Sequence, residues 1–443
     1  MTIITRFAPS PTGQLHVGNL RTAIHNWMWT RRNGGTFLLR LDDTDTQRSR
    51  EEYAQGIRDD LDWLGMTPDD EVKQSDRFAL YEQRFEELRA AGRVYPCYET
   101  AQELDLRRKV LLGRGLPPVY DRAALNLTAD EIAAYEAEGR TPHWRFKLDH
   151  DVMIEWDDMV RGAQHFDPKL LSDPVIRRED GSWLYMLPSV IDDIDMAITH
   201  VVRGEDHVSN TAAQIQMFTA LGAQPPTFAH EALLVGSEGK LSKRLGSLGI
   251  SAFREQGIEA ISLIALLARI GTSDPVIPVT DAEPLIESFD FAHFGRAPAR
   301  FDEQELALLN QKIVHMLDYD TVLTHLPEGI DEAAWLALRP NLEKLSDVGN
   351  WWRIVTGPIE PAELDDDDRN FVASAAETLA GLPFGEGIWR ALTDALKQSS
   401  GRKGKALFLP LRRALTGLDH GPDMNALLPL IGREQALTRL KSH

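Results

Sequence analysis

The sequence predicts an α/β nucleotide-binding fold on a parallel sheet, split by an insertion and followed by an all-helical C-terminal part. Three observations predict it. Residues 1–45 read as strand, shaped loop, helix and strand. Strand patterns of the same kind return between Val175 and Val235, after a stretch of different texture. Beyond Ser251 the apolar residues recur at helical spacing.

The first strand is the apolar pair Ile3-Ile4. It runs into Arg6-Phe7-Ala8-Pro9-Ser10-Pro11-Thr12-Gly13-Gln14-Leu15-His16-Val17-Gly18-Asn19, where prolines and glycines forbid regular structure. Leu20, Ile24 and Trp27 then form one apolar face of a helix, which Gly34-Gly35 ends. The strand Phe37-Leu38-Leu39 leads to Arg40-Leu41-Asp42-Asp43-Thr44-Asp45. In such a fold, ligands bind beyond the carboxyl ends of the strands. The loop suits an anion: Gly18 permits close backbone approach, His16 can donate to a phosphate oxygen, and a helix N-terminus follows. A His-x-Gly met alone is otherwise a turn with a solvated histidine.

Two amphipathic helices come next, lined by Tyr53, Ile57, Leu61 and Leu64, then by Phe78, Tyr81, Phe85 and Leu88 up to Gly92. Val94 to Ser172 is mixed, with a short acidic helix near Asp130–Glu138, and reads as the insertion. In the second half, Trp183–Met186 and Ile198–Val202 read as strands, the latter ending in Arg203-Gly204-Glu205-Asp206-His207. A helix follows from about Ser209 to Leu221, capped by Gly222, and then a strand, Ala232–Val235. That strand runs into Gly236-Ser237-Glu238-Gly239-Lys240-Leu241-Ser242-Lys243-Arg244. This is not a P-loop: its glycines are too close together, and Leu241 follows the lysine where Ser or Thr is required. A loop with these cations can close on β- and γ-phosphates; met alone, such a pentapeptide is otherwise a solvated lysine-rich hairpin. Pro358–Asp368 reads as an exposed acidic loop.

Composition bounds the function. The chain has 443 residues, 43% hydrophobic and 26% charged, as in an ordinary water-soluble protein of several domains. No membrane span or signal peptide is legible, and the single Cys97 excludes an internal disulfide, so the cytoplasm is expected. A net charge of −20 argues against a nucleic-acid partner, but charge acts locally. Lys397 to Arg413 carries Lys397, Arg402, Lys403, Lys405, Arg412 and Arg413 without an acid, either a phosphate-backbone patch or a solvated helix end.

Pro9-Ser10-Pro11-Thr12-Gly13-x-Leu15-His16-x-Gly18 resembles the "HIGH" signature of class I aminoacyl-tRNA synthetases in its glutamyl/glutaminyl form, with Asn19 in the last place. Lys240-Leu241-Ser242-Lys243-Arg244 resembles their "KMSKS" signature. Both stand in order, each after a predicted strand, with an insertion between. The whole chain resembles the bacterial glutamyl-tRNA synthetases. The resemblance implies a Rossmann-type catalytic domain in two halves, 1–93 and 173–250, and an inserted tRNA acceptor-binding domain, 94–172. A stem-contact region, 251–309, and a helical anticodon-binding domain, 310–443, would follow.

It further implies ATP-dependent attachment of glutamate to tRNA through glutamyl-adenylate, with Mg2+ accompanying ATP. His16, Lys240 and Lys243 would be catalytic, and His16, Gly18, Lys240, Ser242 and Lys243 would hold ATP. Arg6, Ala8, Ser10, Asp42, Tyr185, Ser189, Arg203 and His207 would line the glutamate site. Asp42 stands where most relatives have glutamate, and Ser189 where many have asparagine. Some relatives carry a cysteine-built zinc site near Cys97-Tyr98-Glu99 and Tyr120-Asp121-Arg122; with only Cys97 left, no zinc and no other resident metal is expected. The tRNA for glutamate is the expected partner. The resemblance leaves open a form that also or chiefly charges the glutamine tRNA, and a monomer is expected. Glutamate activation would wait for tRNA. A non-catalytic tRNA-binding paralogue would be expected to lose one ATP signature, and both are kept. A small-molecule nucleotidyltransferase would have no use for the helical third.

Overall fold

The computed structural model describes residues 2–236 and 249–442. These fall into two compact units. One holds residues 1–255, 263–277 and 281–302; the other holds 256–262, 278–280 and 303–443.

The first unit is built on a parallel sheet. Strands β1 (Ile4–Phe7), β2 (Thr36–Leu41) and β3 (Asp70–Lys73) pair in that order, all parallel. Helix α1 (Val17–Arg32) links β1 to β2, and α2 (Glu51–Trp63) links β2 to β3. Helix α3 (Phe78–Ala90) follows, with Tyr81, Phe85 and Leu88 buried as the periodicity predicts. Phe37 to Leu41 are all buried, as expected of a parallel strand covered on both faces. Gly35 is required where the chain turns into β2, since a Cβ there would lie 2.2 Å from the Ile3 carbonyl oxygen.

On the other side of β1 lies β9 (His200–Gly204), where the Thr199 N–H donates to the Ile4 carbonyl at 2.9 Å. Helix α7 (Val208–Ala220) then leads to β10 (Thr227–Glu231), parallel to β9 from Thr227 opposite His200 to Glu231 opposite Gly204. The chain therefore winds outward from β1 in one direction and from β9 in the other. A crevice opens at that reversal, beyond the carboxyl ends of β1, β2 and β9.

The stretch expected as an insertion adds two small sheets' worth of strands. β4 (Val94–Cys97) and β5 (His143–Phe146) pair antiparallel, and β8 (Val175–Arg177) joins β5. The hairpin of β6 (Ile154–Asp158) and β7 (Gly162–Phe166) attaches to β10 at Asp158 opposite Phe228. The acidic helix is α5 (Ala129–Ala137). Helix α4 (Ala101–Gly113) was not anticipated, although its capping box, Thr100 with Glu103, was legible.

Three expectations are corrected. Trp183–Met186 is not a strand; Met186–Asp195 is helix α6, and Trp183 only bridges to Arg177. Leu187, Val190, Ile191 and Ile194 have helical spacing, and Pro188 sits in the first turn, where its missing N–H is harmless. The strand expected at Ala232–Val235 is displaced: β10 has ended at Glu231, Ala232 and Leu233 belong to no strand, and β11 is Leu234–Gly236, paired with β12 (Ala299–Phe301). β10 was missed because buried His230 and Glu231 break its apolar pattern. Asp366–Asp368 belongs to the helix Asp366–Gly381, capped by Asp365. Carboxylates in a first turn complement the helix dipole, so acidity there marks a helix start.

The second unit is helical. Trp335 is fully buried, and its indole N–H donates to the Leu317 carbonyl at 3.0 Å. Buried Arg439 donates to the carbonyls of Leu415, Ile354 and Gly357 at 2.6–2.8 Å and ties three segments together. The basic stretch spans the helices Ile388–Ser400 and Lys405–Thr416. Arg402 pairs with Asp367 and Asp368, and Arg413 with Asp419, which lowers the net charge it presents.

Candidate active site

A cavity of about 1200 Å³ fills the crevice between β1 and β9. Its walls include every described residue that the sequence singled out: Arg6, Ala8, Ser10, His16, Gly18, Asp42, Tyr185, Ser189, Arg203 and His207. Lys240, Ser242 and Lys243 lie outside the described residues.

His16 is the N-cap of α1. Its Nδ1 accepts from the backbone N–H of Gly18 at 3.2 Å and, more distantly, of Asn19 at 3.4 Å. The ring proton of the neutral imidazole therefore sits on Nε2, and burial lowers the histidine's pKa, which keeps it neutral. One nitrogen shapes the helix start and the other is a donor. Gly18 has a local reason as well: a Cβ there would stand 3.1 Å from the His16 ring. In the His-x-Gly pattern, the glycine makes room for the histidine that caps the helix.

At the ends of β1, β2 and β9 stand Arg6, Arg40 and Arg203. Arg6 Nε donates to Asp193 at 3.0 Å. Arg40, 1% exposed, donates to Asp42 at 2.7 and 3.2 Å and to Asp193 at 2.8 Å. Burial opposes the Arg40 charge, but Asp42 and Asp193 outweigh it and hold its pKa above the usual arginine range. Both oxygens of Asp42 thus face Arg40 rather than standing free. Burial pushes Asp42 up to about 6 against the pull of Arg40. Ser189 is buried behind it, and its hydroxyl lies 3.4 Å from Arg40 Nη2.

Arg203 differs. Its Nη2 donates to the Thr211 hydroxyl at 2.5 Å and to the Gln214 amide oxygen at 2.7 Å, and its Nε to His230 Nε2 at 3.3 Å. All three acceptors are neutral. Of the three arginines, Arg203 alone makes no ion pair among the described residues. Burial, and then the neighbouring charge of Arg6, push its pKa down to about 10, so it remains a cation at neutral pH. A desolvated cation without an anion is a receptor for one. Beside it, the Tyr185 hydroxyl lies 3.4 Å from His207 Nδ1, and burial lowers the pKa of His207.

Sequence reasoning missed Arg40, Asp193, Thr211, Gln214 and His230. The one available signal was an arginine inside the apolar run Phe37–Leu41, which requires buried acids to hold it. Near Cys97 the network is protonic: the Tyr120 hydroxyl donates to Glu99 at 2.8 Å and lies 3.8 Å from the Cys97 sulfur. Burial pushes the Cys97 thiol up to about 12. Among the described residues, no three His, Cys, Asp or Glu side chains are grouped to hold a metal.

Residues 2–308 match the family "tRNA synthetases class I (E and Q), catalytic domain", and residues 320–443 match "Anticodon binding domain". The chain is 67% identical to Glutamate--tRNA ligase 1 of Rhizorhabdus wittichii over 440 residues, 99% of each chain. It is 64% identical to Glutamate--tRNA ligase 1 of Novosphingobium aromaticivorans over 442 residues, 100% of each. Its structure is similar to the crystal structure of a glutamate tRNA ligase from Elizabethkingia meningosepticum in complex with its amino acid, with TM-score 0.85 and 27% identity, covering 100% of this chain and 99% of that one. A parallel-sheet site, a helical C-terminal unit and full-length relatedness agree: the chain belongs to the glutamate–tRNA ligases of the class I aminoacyl-tRNA synthetase family for glutamate and glutamine.

Proposed function

We propose that this glutamate–tRNA ligase forms glutamyl-adenylate in the cavity between β1 and β9, with Arg203 as the principal receptor for a glutamate carboxylate. The observation that carries this reading is the cationic side chain of Arg203, held by three neutral acceptors and by no carboxylate among the described residues. Arg6 adds positive charge beside it. Tyr185, His207, Ser189, Ala8 and Ser10 complete the wall, and Asp42 attracts the α-ammonium with lone pairs not used by Arg40.

ATP lies along the loop from Pro9 to Asn19. His16 Nε2–H donates to its phosphates, and the positive end of the α1 dipole faces the same anion. Lys240, Ser242 and Lys243 act on the β- and γ-phosphates as pyrophosphate leaves. The α-carboxylate of glutamate attacks the α-phosphorus, and a terminal ribose hydroxyl of tRNA then takes the glutamyl group. No covalent enzyme intermediate is needed, so the chain supplies position and fixed charge. Magnesium accompanying ATP would neutralise phosphate charge; in this wall Asp42 and Glu231 are already engaged by Arg40 and His25.

Both glutamate carboxylates are anions that Arg203 and Arg6 could take, so orientation must be selected. An acceptor end that closes the site can select it by induced fit. ATP–pyrophosphate exchange is therefore expected to be negligible with glutamate and ATP alone and to appear on adding cognate tRNA, even with a 3′ end that cannot be charged. Rapid exchange in RNA-free enzyme would remove this account of the pocket. Charging assays with purified glutamate and glutamine tRNAs decide which the enzyme uses.

Asp42 sets a pH limit. Its attraction for the ammonium needs the carboxylate, which is lost as pH falls through about 6. The glutamate KM should therefore rise below that pH, by about tenfold per unit once Asp42 is mostly protonated. An Asp42→Asn enzyme should have a high, flat KM over the same range; an unchanged profile in this variant would refute the assignment.

The ligase is also proposed to be a cytoplasmic monomer without zinc. A thiol held protonated by burial is a poor metal ligand, and Tyr120 and Glu99 already satisfy each other. Elemental analysis should find no stoichiometric zinc, and EDTA should stop catalysis without unfolding the chain. One tightly bound zinc per chain would overturn this.

A further inference from the structure

Behind Arg203 lies a chain of buried polar groups that ends in the β6–β7 hairpin. Asp158, the last residue of β6, and His230, on β10, have fully buried side chains. His230 Nδ1 is 2.5 Å from Asp158 Oδ2. A carboxylate can only accept, so Nδ1 carries the proton. His230 Nε2 then bears a lone pair, which accepts from Arg203 Nε at 3.3 Å; the Thr211 hydroxyl lies 2.8 Å away, its single proton open to Nε2 or to the His207 carbonyl at 3.1 Å. Burial lowers the pKa of His230, consistent with a neutral ring between an acid and an arginine. The opposite tautomer would set an Nε2–H against the Nε–H of Arg203.

We propose that His230 and Asp158 are positioning residues for glutamate recognition: Asp158 fixes the His230 tautomer that accepts from Arg203 Nε and thereby aims the guanidinium into the pocket. The proposal rests on the reading of Arg203 as the carboxylate receptor. The geometry explains why a buried histidine interrupts an otherwise apolar strand. Thr211 and Gln214 hold Nη2 from one side, and His230 holds Nε from another, so the fork has a defined plane. The rest of the fork is left for a ligand. The relay also links the pocket to the hairpin, because Asp158 Oδ1 accepts from the backbone N–H groups of Val160 and Arg161 at 3.1 and 3.0 Å.

That second role is a purely structural explanation of Asp158, and Asp158→Asn separates the two. Asparagine keeps an oxygen for the turn but offers an amide N–H to His230 Nδ1. This drives the proton to Nε2, against Arg203. The glutamate KM in tRNA-supported exchange should rise about 10- to 100-fold, the scale of a lost hydrogen bond to a charged group. The KM for ATP should stay within about twofold, because ATP does not touch this relay. His230→Gln, which can place an amide oxygen near the position of Nε2, should return the glutamate KM to within about threefold of wild type. The 15N shifts of His230, identified by their absence in His230→Gln, report the tautomer whether or not activity survives. They should show a protonated Nδ1 in the wild type and a protonated Nε2 in Asp158→Asn.

Arg203→Lys is the control. If it raises the glutamate KM while Asp158→Asn does not, the positioning role is lost and the receptor reading stands. If Arg203→Lys itself leaves that KM unchanged, the receptor reading fails and takes the relay with it. A wild-type His230 protonated on Nε2 would overturn the proposal independently of any kinetics.

Discussion

Replacing Arg40 by methionine is expected to destabilise the protein by about 3–5 kcal/mol, the cost of removing one partner from a buried ion network. Arg40 is 1% exposed and stands between Asp42 and Asp193, with Asp192 at 4.0 Å. Asp193 would keep Arg6, and Asp192 would keep Arg77, Gln74 and Tyr81. Asp42 would keep no ion-pair partner among the described residues, since Arg40 is the one it has. Asp42 should then neutralise: its pKa, already about 6 with Arg40 present, would rise further. The sign of the pH dependence follows. At pH 8 the variant would bury an unpaired carboxylate, whereas near pH 5 that group is protonated and the penalty shrinks. Denaturant melts of wild type and Arg40→Met at the two pH values test this. A loss below about 1 kcal/mol at pH 8, or a loss that grows toward acid, would show that Arg40 is not what holds these acids in place.

Replacing Lys243 by alanine is expected to slow adenylate formation by about 10²–10³-fold, the scale for deleting one preorganised electrostatic contact to developing charge. Pyrophosphate leaves with negative charge building on the β- and γ-phosphates, and the described wall offers His16 Nε2–H and a helix N-terminus there but no lysine. In the proposed mechanism Lys240 and Lys243 supply that cation; in the sequence they stand shortly after Gly236, where β11 ends. Glutamate binding should change little, because the receptor proposed for it, Arg203, stands near the end of β9. Single-turnover adenylate formation in the presence of tRNA separates the two quantities; an unchanged rate would remove Lys243 from the chemistry.

Much of this protein was determined by local sequence. The helix from Val17 follows from apolar spacing and from a histidine that its own glycine leaves room for, all within a few residues. The helices α2, α3 and α7 were legible because burial on one face writes a period into the chain, and the strands β1 and β2 because burial on both faces leaves a short unbroken apolar run. The two ATP signatures carried the family, and the pocket walls contain every described residue that the resemblance suggested. Where periodicity was read wrongly, at Met186–Asp195, the helical spacing was present but its start lacked a side-chain cap.

Only the tertiary structure decided which arginine is open to a ligand. Arg6, Arg40 and Arg203 are alike in sequence, each near the end of a strand. Their partners are remote: Asp193 is 153 residues from Arg40 and 187 from Arg6, and His230 is 72 from Asp158. Such pairings have no period, and a charged residue in an apolar strand reads only as an exception until its partner is found. Folding brings Asp193 to Arg6 and Arg40, and neutral acceptors to Arg203. A low-dielectric wall makes that difference count, because the paired cations are already satisfied and the unpaired one needs an anion. The sequence pointed to Arg6 and Arg203 at the crevice and passed over Arg40; the packing of α6 and β10 against it determined which of the three is left without a carboxylate.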